Sequence, residues 1–442
     1  MLPIGEPDTP LARPSDERPD IFVQKIVSAD RSGLLRELGP GLITGAADDD
    51  PSGIATYSQV GAQFGYQLGW VMLFSFPLMA VIQGVSAGIG AVTGAGIAEN
   101  LRRHYSPWLL RLAVSLLLVA NIFNLGADLD AMGAALGLLI PGPENFYALG
   151  FGTLCAALEI WISYRRYVTV LKWLTLSLLA YVAVVFAVHV PWSEALRSTI
   201  LPQIAFDHDH VMALVALLGT TISPYLFFWQ AGEEVEELHR RHRIGLGMDP
   251  EHAKTELMRI RFDTLVGMGA SNLVALFIIF ATAATLHANG ITNISSAADA
   301  AEALRPIAGP FTFALFAAGI IGTGLLAVPV LAAGGGYAVA EMFRWTEGLD
   351  RRPREAKGFY ATIGLATLAG IALAFSPIDP MKALYWSAVL NGILAAPLML
   401  IMMAIGRNRR IMGALVMPGW MAVTGYAATA VMAGATLAFF IL

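Results

Sequence analysis

Long apolar runs separated by short charged stretches occupy nearly all of the chain beyond residue 38. About eleven of them are long enough to cross a bilayer, at roughly 40–64, 68–97, 108–138, 145–164, 167–190, 209–235, 262–288, 310–343, 357–376, 381–405 and 412–441. Two are interrupted at their centres. The first carries Asp48, Asp49, Asp50, Pro51, Ser52 and Gly53 between apolar residues 42–47 and 54–69. Carboxylates at mid-membrane depth cost about 2.5–3.5 kcal/mol each, and a Pro-Ser-Gly run breaks a helix. A broken helix with anionic oxygens at the bilayer centre presents ligands to a cation. The alternative is that the acids cap a short helix in an exterior turn.

The sixth run repeats the interruption, with Gly219, Thr220, Thr221, Ser223 and Pro224 where a plain spanning helix carries Leu or Val. Taken alone this fits an ordinary proline kink. Its position argues for more. The breaks lie five helices apart, and the helices that carry them run in opposite directions. That is the pattern of an inverted-repeat transporter with a binding site at the midplane. The expected organisation is a polar tail at 1–38 and a single transmembrane domain at 39–442. Its repeats cover about 39–190 and 207–406, and an extra helix covers about 411–442.

Composition agrees. Charged residues make up only 14% of the 442 and mean hydropathy is +0.62, where soluble domains carry about 25% charge. With the N-terminus inside, 25 of the 28 Lys and Arg fall on the inner face, and only Arg197, Arg305 and Lys382 fall elsewhere. This alternation supports the segment count and predicts a cytoplasmic N-terminus and an exterior C-terminus. Residues 1–38 lack an apolar core and read as a tail, not a cleaved signal. A prokaryotic cytoplasmic membrane is the expected location. Cys155 is the only cysteine, which excludes an intrachain disulfide and a thiolate cluster. No phosphate-binding G-x-x-x-x-G-K-[ST] run occurs, so neither ATP nor nucleic acid is an expected partner. No catalytic residue and no cofactor are expected, and the transport unit reads as a monomer in lipid.

The candidate ligands are all oxygen: the Asp50 carboxylate, carbonyls freed near Ala47 and Gly53, and Thr220, Thr221 and Ser223 in the second break. Such a site suits Mg²⁺, which keeps several waters, with Mn²⁺ next. Adjacent aspartates diverge by about 100° on a helix. Asp50 is therefore expected as ligand and Asp49 as a second carboxylate at the mouth. Asp48, Asp128, Asp130, Tyr225 and Asn391 are candidates for a cation path, although Asp128 and Asp130 read equally as interhelical hydrogen-bonders. Glu159 reads as an interfacial acid. Glu233, Glu234, Glu236 and Glu237 read as a solvated helix end, or as attractors of cations near the exit. No histidine lies centrally in a span, which argues against a histidine proton relay, though a buried Asp could serve.

At these residues the chain resembles the Nramp divalent-metal transporters. Gly39-Pro40-Gly41 followed by Asp50-Pro51-Ser52-Gly53 is similar to the family's first-helix Asp-Pro-Gly-Asn motif. Gly219 through Tyr225 is similar to its sixth-helix motif ending Met-Pro-His. Gly133 to Leu138 and Trp386 to Leu390 also look familiar. The departures matter. The family's metal-binding Asp falls on Asp50, but its Asn falls on Gly53, its Met on Ser223 and its His on Tyr225. The third-helix Asp linked to proton movement falls on Ala127 with its companion Glu on Asp130, and a tenth-helix Gln falls on Ala388. This combination resembles the Nramp-related magnesium transporter branch. The resemblance implies a LeuT-like 5+5 inverted repeat with discontinuous helices 1 and 6 plus an eleventh helix, Mg²⁺ and Mn²⁺ transport, and no proton coupling. Binding roles would pass to Asp50, the carbonyls of Ala47 and Thr220, and Ser223, with water in place of a Gly53 side chain.

The expected activity is alternating-access transport of hydrated or partly hydrated Mg²⁺ and Mn²⁺. A proton-coupled Mn²⁺/Fe²⁺ importer, an amino-acid carrier of the wider superfamily and a non-transporting metal-sensing receptor are the competing readings.

Overall fold

Two prolines decide how the first apolar segment folds. Pro40 opens α1 (Pro40–Asp48) and Pro51 opens α2 (Pro51–Phe64), so the segment is two helices joined at Asp49 and Asp50. Proline suits the first helical position, where its missing N–H has no partner to lose. Asp50 is the N-cap of α2, with extended backbone (φ −67°, ψ 165°) and a side chain that accepts the Gly53 N–H at 2.6 Å. The same device recurs later: α10 (His208–Thr221) ends at Ile222, and Pro224 opens α11 (Pro224–Arg240).

The computed structural model describes residues 39–441 except 163, 204, 206, 241–244, 247–249, 295 and 378–379. The expected polar tail, with its basic residues, lies outside the described residues, as do Arg241, His242 and Arg243. Between and after the broken pairs lie α3 (Gly69–Thr93), α4 (Ile97–His104), α5 (Pro107–Leu139), α6 (Glu144–Trp161), α7 (Tyr164–Leu174), α8 (Leu179–Ala187) and α9 (Trp192–Ile200). Then come α12 (Pro250–Thr285), α13 (Ala297–Phe343), α14 (Lys357–Ala374), α15 (Pro380–Arg407), α16 (Arg409–Met412) and α17 (Gly419–Ile441). Helices and turns account for all regular structure among the described residues.

Nine helical stretches among the described residues are long and apolar enough to cross a membrane. The two further spans read from the sequence are the broken first helix and α6. The halves of the first, 9 and 14 residues, are each too short to cross alone. In α6, Glu144, Asn145 and Glu159 lower the apolarity. The expected run at 167–190 is not one helix: a 3₁₀ turn, Thr175–Leu178, separates α7 from α8. The run at 310–343 starts earlier, at Ala297, capped by Ser296, and bends at Gly309, whose φ of 86° is open to glycine.

The first broken helix lies along α12, and small residues permit the approach. A Cβ on Gly45 would stand 2.1 Å from the Gly267 backbone, and one on Gly41 would stand 2.5 Å from the Thr264 nitrogen. Such contacts bring helix backbones together where lipid offers no hydrophobic drive. α5 packs on α13, α14, α15 and α6, running through the middle of the bundle. Trp108, Trp161, Trp173, Phe186 and Val423 are exposed on the outside, as a lipid-facing surface requires.

Candidate cation site

The two breaks meet. Tyr225, in the first turn of α11, donates its hydroxyl to the Ala47 carbonyl at 2.9 Å, and both residues are buried. Beside this junction is a cavity of about 40 Å³ lined by Asp50, Ser52 and Thr56 from the first break and by Ala216, Gly219, Thr220 and Ser223 from the second. Asn124 of α5 and Asn391 of α15 close it. Room for one water needs about 10–15 Å³ of such space, so the cavity admits a cation with part of its shell.

Asp50 is 4% exposed, and its Oδ1 accepts both the Ser52 hydroxyl and the Gly53 N–H at 2.6 Å. Those bonds hold one oxygen and leave Oδ2 for another partner. Ser52 also donates its N–H to Asp128 Oδ1 at 3.1 Å, so one serine positions two carboxylates. Ser223 donates its hydroxyl hydrogen to the Thr220 carbonyl at 3.0 Å, which turns its lone pairs outward. Among the described residues no group of three or more His, Cys, Asp or Glu side chains is placed to hold a metal ion. The site therefore combines one carboxylate with hydroxyl and amide oxygens.

Of the residues expected from the sequence, Asp50, Thr220, Ser223 and Asn391 line the cavity. Others stand apart from it. Asp49 is wholly buried at the junction of the halves instead of at a mouth, on the side of Ser271 of α12. It is the C-cap of α1, with non-helical backbone (φ −87°, ψ 53°) one residue before Asp50. Asp48 points to α12, where Ser271 donates to its Oδ2 at 3.3 Å. Thr221 bonds back to the Leu217 carbonyl at 2.9 Å within its own helix, so it offers the cavity nothing. The Ala47 carbonyl is engaged by Tyr225, and Gly53 contributes its N–H to Asp50. Tyr225 thus ties the breaks together and does not line the cavity.

Asp128 sits next to the site through Ser52, with Oδ2 unpartnered. Asp130, two residues on and about 200° around the helix, is half-buried near Glu144. Glu159 is enclosed, 2% exposed, where an interfacial place was expected. Glu233, Glu234 and Glu236 are also buried instead of solvated. Glu236 accepts from the Tyr337 hydroxyl and from the Leu349 and Asp350 N–H groups, holding the loop after α13 to α11. His189 and His287 line a separate cavity of about 730 Å³ at one end of the bundle, where His210 meets Gln67 at 3.1 Å.

Sequence reasoning named Ser52 and Gly219 only as parts of the breaks, and it did not single out Thr56, Asn124 or Ala216. Ser52 and Thr56 lie one helical turn apart after Asp50, and Asn124 is, with Asn121, one of two amides in a long apolar helix. Both are readable signals once the break is known to be a site.

The paired breaks and the enclosed oxygens define a multi-pass membrane protein of LeuT-like fold with discontinuous helices 1 and 6. The chain belongs to the Nramp family, whose model, described as natural resistance-associated macrophage protein-like, matches residues 41–442. Relatives include the divalent metal cation transporter MntH of Klebsiella pneumoniae (strain 342), 26% identical over 412 residues that cover 91% of this chain and 93% of that protein. MntH of Bacillus subtilis (strain 168) is 27% identical over 406 residues, covering 89% of each. Among solved structures, the manganese transporter of Eremococcus coleocola, in complex with an aromatic bis-isothiourea substituted compound, superposes with a TM-score of 0.74. It is 16% identical and covers 93% of this chain and 87% of its own. Mhp1, a nucleobase-cation-symport-1 family transporter, superposes at 0.58 with 15% identity over 91% of each chain. These likenesses carry the fold.

Proposed function

We propose that this protein transports Mg²⁺, and Mn²⁺ beside it, through alternating access and without a coupled proton. One observation carries the reading: the cavity between the two breaks is lined by a carboxylate, hydroxyls and amides, all hard oxygen donors. Mg²⁺ takes few protein ligands and retains waters, and such a cavity matches that demand. Ser223 stands where the family's thioether stands, which removes a soft donor. Ala127 and Tyr225 stand where its proton-linked Asp and His stand. The names of the relatives, divalent metal cation and manganese transporters, support the cation class.

Asp50 binds the ion, with Ser223 and the Thr220 carbonyl opposite it. With the N-terminus inside, a potential of about 100 mV drives a divalent ion inward by about 4.6 kcal/mol, enough without a proton. A second reading, proton-coupled Mn²⁺ import, draws on the relatives' names and on Asp128 held beside Asp50 by Ser52. Purified protein in liposomes, with a pH dye inside and Mg²⁺, Mn²⁺ or Ca²⁺ outside, tests both. Mg²⁺ entry at constant internal pH is expected. Acidification that tracks Mn²⁺ entry, with no Mg²⁺ flux, supports the second reading.

A further inference from the structure

Asn391 is 3% exposed and lines the cavity from α15, and its Oδ1 has no hydrogen-bond partner among the described residues. Asn124, 5% exposed, lines the same cavity from α5. Neither belongs to a helix break. An enclosed carboxamide oxygen without a donor is unfavourable unless something arrives to donate to it. The backbone beside it is braced: Thr436 of α17 donates to the carbonyl of the next residue, Gly392, at 3.0 Å.

What arrives in this cavity, on the reading proposed above, is a cation. Asp50, Thr220 and Ser223 give it a charged and a hydroxyl-lined side, and the amides form the remaining wall. The space, about 40 Å³, holds roughly three waters at about 10–15 Å³ each. Water bound to a divalent ion points its hydrogens away from the metal. Those hydrogens need acceptors, and a neutral amide oxygen accepts them without adding charge to the site.

We propose that Asn391, with Asn124 beside it, accepts hydrogen bonds from the water retained by the bound ion, and so sets a preference for cations that keep their water. The inference rests on the transport reading and deepens it. Mg²⁺ dehydrates reluctantly, so it depends on these acceptors more than Mn²⁺ does.

The test uses the full chain in liposomes, with Mg²⁺ and Mn²⁺ uptake measured for wild type, Asn391→Ala, Asn391→Gln and Asn124→Ala, and melting followed without ion. Asn391→Ala should raise KM for Mg²⁺ by about tenfold, the worth of one such hydrogen bond, and raise KM for Mn²⁺ much less. Asn391→Gln, which keeps the carboxamide oxygen, should recover part of the Mg²⁺ preference. Asn124→Ala should shift the preference in the same direction. Equal weakening of both ions, an unchanged Mg²⁺/Mn²⁺ ratio, or a fall in ion-free melting that Gln does not repair would overturn the assignment while leaving transport intact. Absence of saturable flux for either ion in wild type overturns the transport reading, and the assignment with it.

Discussion

The Tyr225 hydroxyl and the Ala47 carbonyl, 178 residues apart in sequence, form a 2.9 Å hydrogen bond that joins the second helix break to the first. α1 cannot use that carbonyl internally, because the helix stops at Asp48. Tyr225→Phe removes this donor and leaves a buried acceptor, at a cost of about 1–3 kcal/mol. A melting temperature lower by several degrees is expected, with turnover reduced more than KM. Thermal melting and initial uptake rates on the same preparation check both.

Asp50 supplies the one carboxylate among the described residues that line the cavity. Asp50→Asn should abolish stabilisation by Mg²⁺ and reduce flux to the level of empty liposomes. Asp130→Asn, about 200° around α5 from Asp128 and not among the residues lining the cavity, should transport within about twofold of wild type. Equal loss in both variants would mean that the cavity is not the site.

Asp263 of α12 accepts the Gly41 N–H at 2.8 Å and the Leu42 N–H at 3.2 Å, so a buried carboxylate caps the start of α1. Asn at this position loses the charge-assisted character of both bonds, worth about 1.5–3 kcal/mol each. Asp263→Asn should speed amide exchange at Gly41 and Leu42 selectively, measured by hydrogen–deuterium exchange, with exchange in α5 unchanged.

Gly45 stands against Gly267 with no room for a side chain, whereas a Cβ on Gly434 meets nothing within 4 Å. Gly45→Ala must push α1 off α12, at about 1–3 kcal/mol, and should lower melting and the yield of monodisperse protein in gel filtration. Gly434→Ala should do neither.

Glu347, in the loop between α13 and α14, has its pKa raised from 4.5 to about 10. Burial is the main cause, followed by the negative Glu341, Glu99 and Glu236, with Arg102 opposing. A folded-state pKa above the unfolded one means that the folded protein holds the proton more tightly. Its contribution to stability is full below about pH 4.5 and is lost progressively as pH rises toward 10. Melting temperature should therefore fall between about pH 5 and about pH 9, and Glu347→Gln should make the decline shallower. A slope identical to wild type would show that Glu347 is not held protonated.

The break positions, the apolar spans and the oxygen character of the site were determined by the sequence alone. Each rests on local chemistry: Pro51 and Pro224 cannot continue the helices before them, Asp50 caps the helix after it, and lipid tolerates long helices only where the side chains are apolar. The tertiary structure decided which oxygens face the cavity. Helix geometry says that three consecutive aspartates diverge, but the C-cap at Asp49, the Ser271 hydroxyl on Asp48 and the Ser52 bridge from Asp50 to Asp128 are tertiary facts that place each one. Asn124 and Asn391 join the site for the same reason. Helices distant in sequence are brought to one cavity by packing along their whole lengths, and no single segment encodes that placement.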